Sequence, residues 1–116
     1  MGVSPEEIVN HIELLLEDGR ELRTSLRQAE APLRRAVKRI NAGEQPMAAL
    51  RESGAGEARI RVNESLKKLE EHRRSFRLSV LLTELDTGAS MGSIARQWGV
   101  SRQLVQRLAK EARGRP

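Results

Sequence analysis

The 116-residue chain has no cysteine, no tyrosine, one phenylalanine and one tryptophan. Without cysteine there is no disulfide framework and no thiolate metal site. With aromatics at 2% of residues, Leu, Ile, Val and Ala at helical spacing must do the packing, because a large self-sufficient core is out of reach. That favours helical bundles and coiled coils, and makes association with a second copy attractive. No apolar run is long enough to cross a membrane, and the first residues are acidic and amphipathic, so neither a span nor a signal peptide is expected. A cytoplasmic protein is the expectation, which leaves the Asn63-Glu64-Ser65 sequon without consequence. Catalytic patterns are equally scarce. His11 and His72 are far apart and outside any His-Glu-x-x-His spacing, and Glu70-Glu71 reads as a solvated helix face. There is no Gly-rich phosphate loop, nucleophile elbow or His/Ser/Asp set, so no enzyme, cofactor or metal site is expected.

What the chain does have is charge, unevenly placed. Residues 1–45 carry 7 basic and 8 acidic side chains, residues 46–87 carry 8 and 7, and residues 88–116 carry 6 and 1. The whole net charge of +5 therefore lies on the last quarter, where Lys and Arg could displace counterions from phosphates. Arginine outnumbers lysine 17 to 4, a composition that suggests a GC-rich bacterial genome or one of its mobile elements.

Local signals order the rest of the chain. Ser4-Pro5-Glu6-Glu7 starts a helix, with Ser4 as N-cap, Pro5 where its missing N–H is harmless and Glu7 completing a capping box. Ile8, Ile12, Leu15, Gly19, Leu22, Leu26 and Ala29 then recur at spacings of four and three, a heptad seam that Leu16 widens. The helix is expected to run through Asp18-Gly19 and to end near Glu30, because Pro32 would cost about 3 kcal/mol in a helix interior. A second helix starts at Ala31 or Pro32 and stops at Asn41-Ala42-Gly43, and a short third begins at Pro46. Ser53-Gly54-Ala55-Gly56 reads as a flexible break. From Glu57 to Asp86 there is no Gly or Pro, so one long helix of roughly 30 residues is expected, with Thr87-Gly88 as its stop and Ser90 capping the next. The heptads could form an internal antiparallel hairpin against residues 57–85 or a seam between two chains; periodicity does not say whose helix fills the groove.

The stretch Met91–Arg113, MGSIARQWGVSRQLVQRLAKEAR, carries the chemistry. Ile94, Ala95, Trp98, Val100, Val105 and Leu108 form two short helical faces that converge on a corner at Gly99. Ala95 is small where helices would cross, Gly99 accepts a positive φ, Val100 plugs the corner and Ser101 can cap a second helix starting at Arg102. The phase of Trp98 puts it with Ile94 and Ala95 in the core. Leu104, Val105 and Leu108 then point inward, leaving Arg102, Gln103, Gln106, Arg107 and Lys110 outward.

On IARQWGVSRQLVQRL this segment resembles the bacterial helix-turn-helix superfamily, most closely the DNA-binding domains of Hin-like recombinases and resolvases and region 4 of sigma factors. The segment Met91–Arg113 covers about a fifth of the chain, and Trp98 stands where a smaller aliphatic residue is usual. The resemblance implies that Ser101, Arg102, Gln103, Gln106 and Arg107 lie where such proteins touch bases and nearby phosphates, with Lys110 on phosphate. No recombinase catalytic domain accompanies it.

The expected fold is all-α: residues 1–56 as an N-terminal helical bundle or coiled-coil region for dimerisation or interaction, and residues 57–116 as a long connecting helix and a three-helix, C-terminal helix-turn-helix unit. The expected function is sequence-specific binding of double-stranded DNA by a homodimeric, nucleoid-associated transcriptional regulator. The alternative is a helical adaptor or assembly protein, such as a phage or plasmid packaging, partition or architectural factor, with non-specific DNA contact and a protein partner.

Overall fold

The computed structural model describes residues 3–114, and among these all regular structure is helical: α1 Pro5–Asn41, α2 Pro46–Glu52, α3 Ala55–Asp86, α4 Met91–Trp98 and α5 Arg102–Gly114. The chain packs as two compact units, one of residues 15–70 and one that joins the segment up to Leu14 with the segment from Glu71 onward.

In the unit of residues 15–70, α1 continues through Pro32 and does not end near Glu30 as the proline suggested. Proline removes one helical hydrogen bond, but here its ring is buried in the same row as Ala29 and Ala36, at spacings of three and four. Burial along that row offsets part of the cost of the missing bond, and the packed helix continues. The row itself is Asp18, Leu22, Ser25, Ala29, Pro32 and Ala36, a heptad rotated away from the most apolar line of the helix. Leu26 is left 49% exposed. The facing helix explains the rotation: Ser25 Oγ meets Ser65 Oγ at 3.0 Å, and Lys68 Nζ reaches Glu21 Oε2 at 3.1 Å, so α1 and α3 run antiparallel within one chain. That hydrogen bond, then the Glu21 charge, holds the Lys68 ammonium above its ordinary range.

The turn between α2 and α3 is ordered where the composition suggested a flexible break. Ser53 is buried; its Oγ donates to Leu50 O at 3.0 Å and accepts from Ala55 N at 3.3 Å, and its carbonyl accepts from Arg35 Nη2 at 2.9 Å. With its backbone groups satisfied the corner is compact, and α3 begins at Ala55. Gln45 caps α2 by accepting from Ala48 N at 2.8 Å, one residue ahead of Pro46. Ala49, Ala55 and Ala58 fill the space where the three helices approach.

In the other unit, Ser4 Oγ accepts from Glu7 N at 3.2 Å and opens α1 as expected. His11 is half-buried there, with Nε2 3.0 Å from Ser79 Oγ and its ring tilted against Phe76. The core is Leu78 and Leu81 of α3, Ile94 and Ala95 of α4, and Val105, Leu108, Ala109 and Ala112 of α5. Trp98 and Val100 pack against its edge. Among the described residues no helix is long and apolar enough to cross a membrane, and no group of three or more His, Asp or Glu side chains could hold a metal.

Candidate nucleic-acid interface

Four local devices place α4 and α5. Gly88 ends α3 at φ +94°, with Ala89 N donating to Glu84 O and Gly88 N to Leu85 O, each at 3.1 Å. This is the hydrogen-bond pair of a Schellman stop. Ser90 then caps α4, its Oγ accepting from Ser93 N at 3.1 Å. Gly99 closes α4 the same way at φ +69°, with Val100 N donating to Ala95 O at 3.0 Å, and Ser101 Oγ caps α5 by accepting from Leu104 N at 3.1 Å. Three residues, Gly99, Val100 and Ser101, thus separate α4 from α5, and the reversal is set by backbone and cap hydrogen bonds.

Packing fixes which face of α5 is turned out. Val105, Leu108, Ala109 and Ala112 are buried, and Leu104 is half-buried. Ser101, Arg102, Gln103, Gln106, Arg107 and Lys110 are all exposed. Gln103, Arg107 and Lys110 follow one another at spacings of four and three, and Arg102 with Gln106 forms a neighbouring row, so the five donors from Arg102 onward share one outward arc. Among the described residues none of those five side chains is engaged in an ion pair or a hydrogen bond. The sixth, Ser101, uses its oxygen in the cap and keeps its hydroxyl proton to donate.

Two residues outside the sequence-based set belong to the same electrostatic picture. Arg96, exposed on α4, folds back along its helix to within 3.6 Å of where a Cβ on Gly92 would stand. Glu111, the one acidic residue after Gly88, is held by Arg74 of α3, whose Nε and Nη2 donate to its Oε1 at 3.0 and 2.6 Å. That bidentate pair neutralises the only carboxylate on α5. The i, i+3, i+4 positions of α5 foretold its exposed arc, but nothing local foretells a pairing across 37 residues.

The arrangement presents guanidinium forks and carboxamides on a short, outward helix face, in the part of the chain that holds all the excess positive charge. Comparison with known protein families, curated proteins and solved structures finds no match to the chain.

Proposed function

We propose that the chain binds double-stranded DNA sequence-specifically, as a dimeric transcriptional regulator of the cytoplasm and nucleoid that lays α5 in the major groove. The observation that carries the reading is the outward arc of α5, five long hydrogen-bonding side chains with no partner among the described residues. It coincides with the local charge of +5, from 6 basic and 1 acidic residues after Thr87. In this reading α4 and α5 act as a helix-turn-helix. Arg102 and Arg107 read guanine or grip phosphate, Gln103 and Gln106 read adenine or other base edges, and Ser101 and Lys110 contact phosphate. A symmetric dimer puts two such helices in successive major grooves, about 34 Å apart.

Selection from a random duplex pool at near-physiological salt tests it. Enrichment of an inverted repeat with half-sites one helical turn apart is expected. Truncating a base-reading arginine, Arg102→Ala or Arg107→Ala, should then cost about 1–3 kcal/mol at its own base pair and relax preference there. Binding that persists with no sequence enriched would replace the regulator by an architectural or assembly factor. Unchanged affinity and preference in both arginine variants would remove α5 as the reading element.

A further inference from the structure

In the unit of residues 15–70, the rotation of α1 leaves apolar side chains uncovered. Leu26, Leu33, Met47 and Leu50, between 36% and 59% exposed, join Val62 in lining a groove of about 570 Å³ bounded by α1, α2 and α3. The lining runs from Leu26 to Leu33 along α1 and from Ala55 to Val62 along α3, in each case about 10.5 Å, or two helical turns. A groove of that length suits a helix presenting apolar anchors at i, i+3 and i+7. Its charge is one-sided. The lining contains Arg51 and Arg59 and no carboxylate, and neither guanidinium group is in an ion pair or hydrogen bond among the described residues.

The chain itself contains a helix of the complementary kind. On the first turns of α1, Val9, Ile12 and Leu16 are 49%, 42% and 58% exposed, at i, i+3 and i+7. Glu6, Glu13 and Glu17 are exposed along one border of that stripe, and none is in an ion pair among the described residues. This stretch cannot enter the groove of its own chain, because α1 is unbroken from Pro5 to Asn41 and its later turns form a wall of that groove. Two grooves placed face to face would instead bring four guanidinium groups to one seam, which like-charge repulsion disfavours.

We infer that the groove takes the acidic first turns of α1 from a second copy of this chain, with Val9, Ile12 and Leu16 against the leucines and Glu13 and Glu17 toward Arg51 and Arg59. The inference rests on the dimeric part of the reading above and names the contact that makes the dimer. In a two-fold pair each copy gives its helix and receives its partner's, so two such contacts form.

The test is a charge exchange on the full chain. Variant one carries Arg51→Glu and Arg59→Glu, variant two Glu13→Arg and Glu17→Arg; all four positions are exposed, so helicity by circular dichroism should match the wild type. By sedimentation equilibrium the wild type should dimerise, and each variant alone should weaken dimerisation about tenfold or more. Mixed one to one, the variants should recover wild-type association as heterodimers, resolved by native mass spectrometry with one variant isotope-labelled, because both contacts in the mixed pair again join opposite charges. A wild type that stays monomeric at about 100 times the concentration needed for DNA binding would overturn both this contact and the dimer. A dimer insensitive to either variant, or variants that fail to recover on mixing, would overturn the contact alone and leave a dimer built elsewhere. Sequence selection on DNA is read separately in every case.

Discussion

Gly92 lies in the first turn of α4 and Gly99 ends it, and replacing each by alanine should move stability in opposite directions. Gly99 sits at φ +69° and ψ +33°, and a Cβ there would meet nothing within 4 Å, so the cost of Gly99→Ala is confined to the backbone. The left-handed conformation costs an L residue about 1–2 kcal/mol, and the lower entropy of the unfolded alanine chain returns part of it, for a net loss of about 1 kcal/mol. Gly92 has no positive φ, and its Cβ would stand 3.6 Å from Arg96 Nη1 and 4.0 Å from Ser90 Oγ, ordinary contact distances. Gly92→Ala should therefore stabilise, by about 0.5 kcal/mol this close to a helix start. The two variants should differ by about 1.5 kcal/mol, which for an m-value of about 1–3 kcal/mol/M separates their urea midpoints by about 0.5–1.5 M. Urea unfolding followed by far-ultraviolet circular dichroism, at constant m, reads this directly. Equal or same-sign shifts would show that backbone conformation does not distinguish the two positions. A neutral Gly99→Ala would mean the corner is not left-handed, and a destabilising Gly92→Ala that α4 does not open where Ser90 caps it.

Ile94 is fully buried, so Ile94→Val should cost about 0.5–1.5 kcal/mol and Ile94→Ala about 2–5 kcal/mol in the same unfolding assay. Ser101→Ala should lose about 1 kcal/mol of cap energy, visible as a lower thermal midpoint without DNA present. Pro32→Ala should restore a helical hydrogen bond in α1, regaining about 3 kcal/mol of helix preference while losing about 1.6 kcal/mol of buried ring carbons, a net stabilisation near 1 kcal/mol by urea titration. If α5 grips DNA, Lys110→Ala should weaken binding to all sequences alike and reduce the slope of log affinity against log salt by about 1, read by fluorescence anisotropy.

The parts of the chain that were legible in advance are those governed by neighbours in sequence. Ser4, Ser90 and Ser101 cap the helices that follow them, and Gly88 and Gly99 end the helices that precede them, because each device rests on hydrogen bonds over three or five residues. The outward arc of α5 follows for the same reason, since a 3.6-residue period decides which side chains can oppose Val105 and Leu108. Where distant residues take part, local rules mislead. Pro32 stops a helix considered alone, yet sits inside one whose buried row it helps fill. Ser53 looks like linker and is a buried corner, held by an arginine 18 residues away.

The all-helical character, the caps and glycine stops around α4 and α5, and a basic segment whose polar side chains lie on one helix face are all legible in the residues alone. All of these depend on backbone propensity, periodicity and composition, which are properties of short stretches. Which line of α1 is buried depends on the helix packed against it: Asp18 and Pro32 are buried while Leu26 stays 49% exposed, and Ser25 Oγ meets Ser65 Oγ of α3. Only the tertiary structure decided that Glu111 is spent on Arg74. The apolar groove beside Arg51 and Arg59 is a consequence of the same choice, because the side chains that the helix period had marked for the core are the ones that pairing leaves outside.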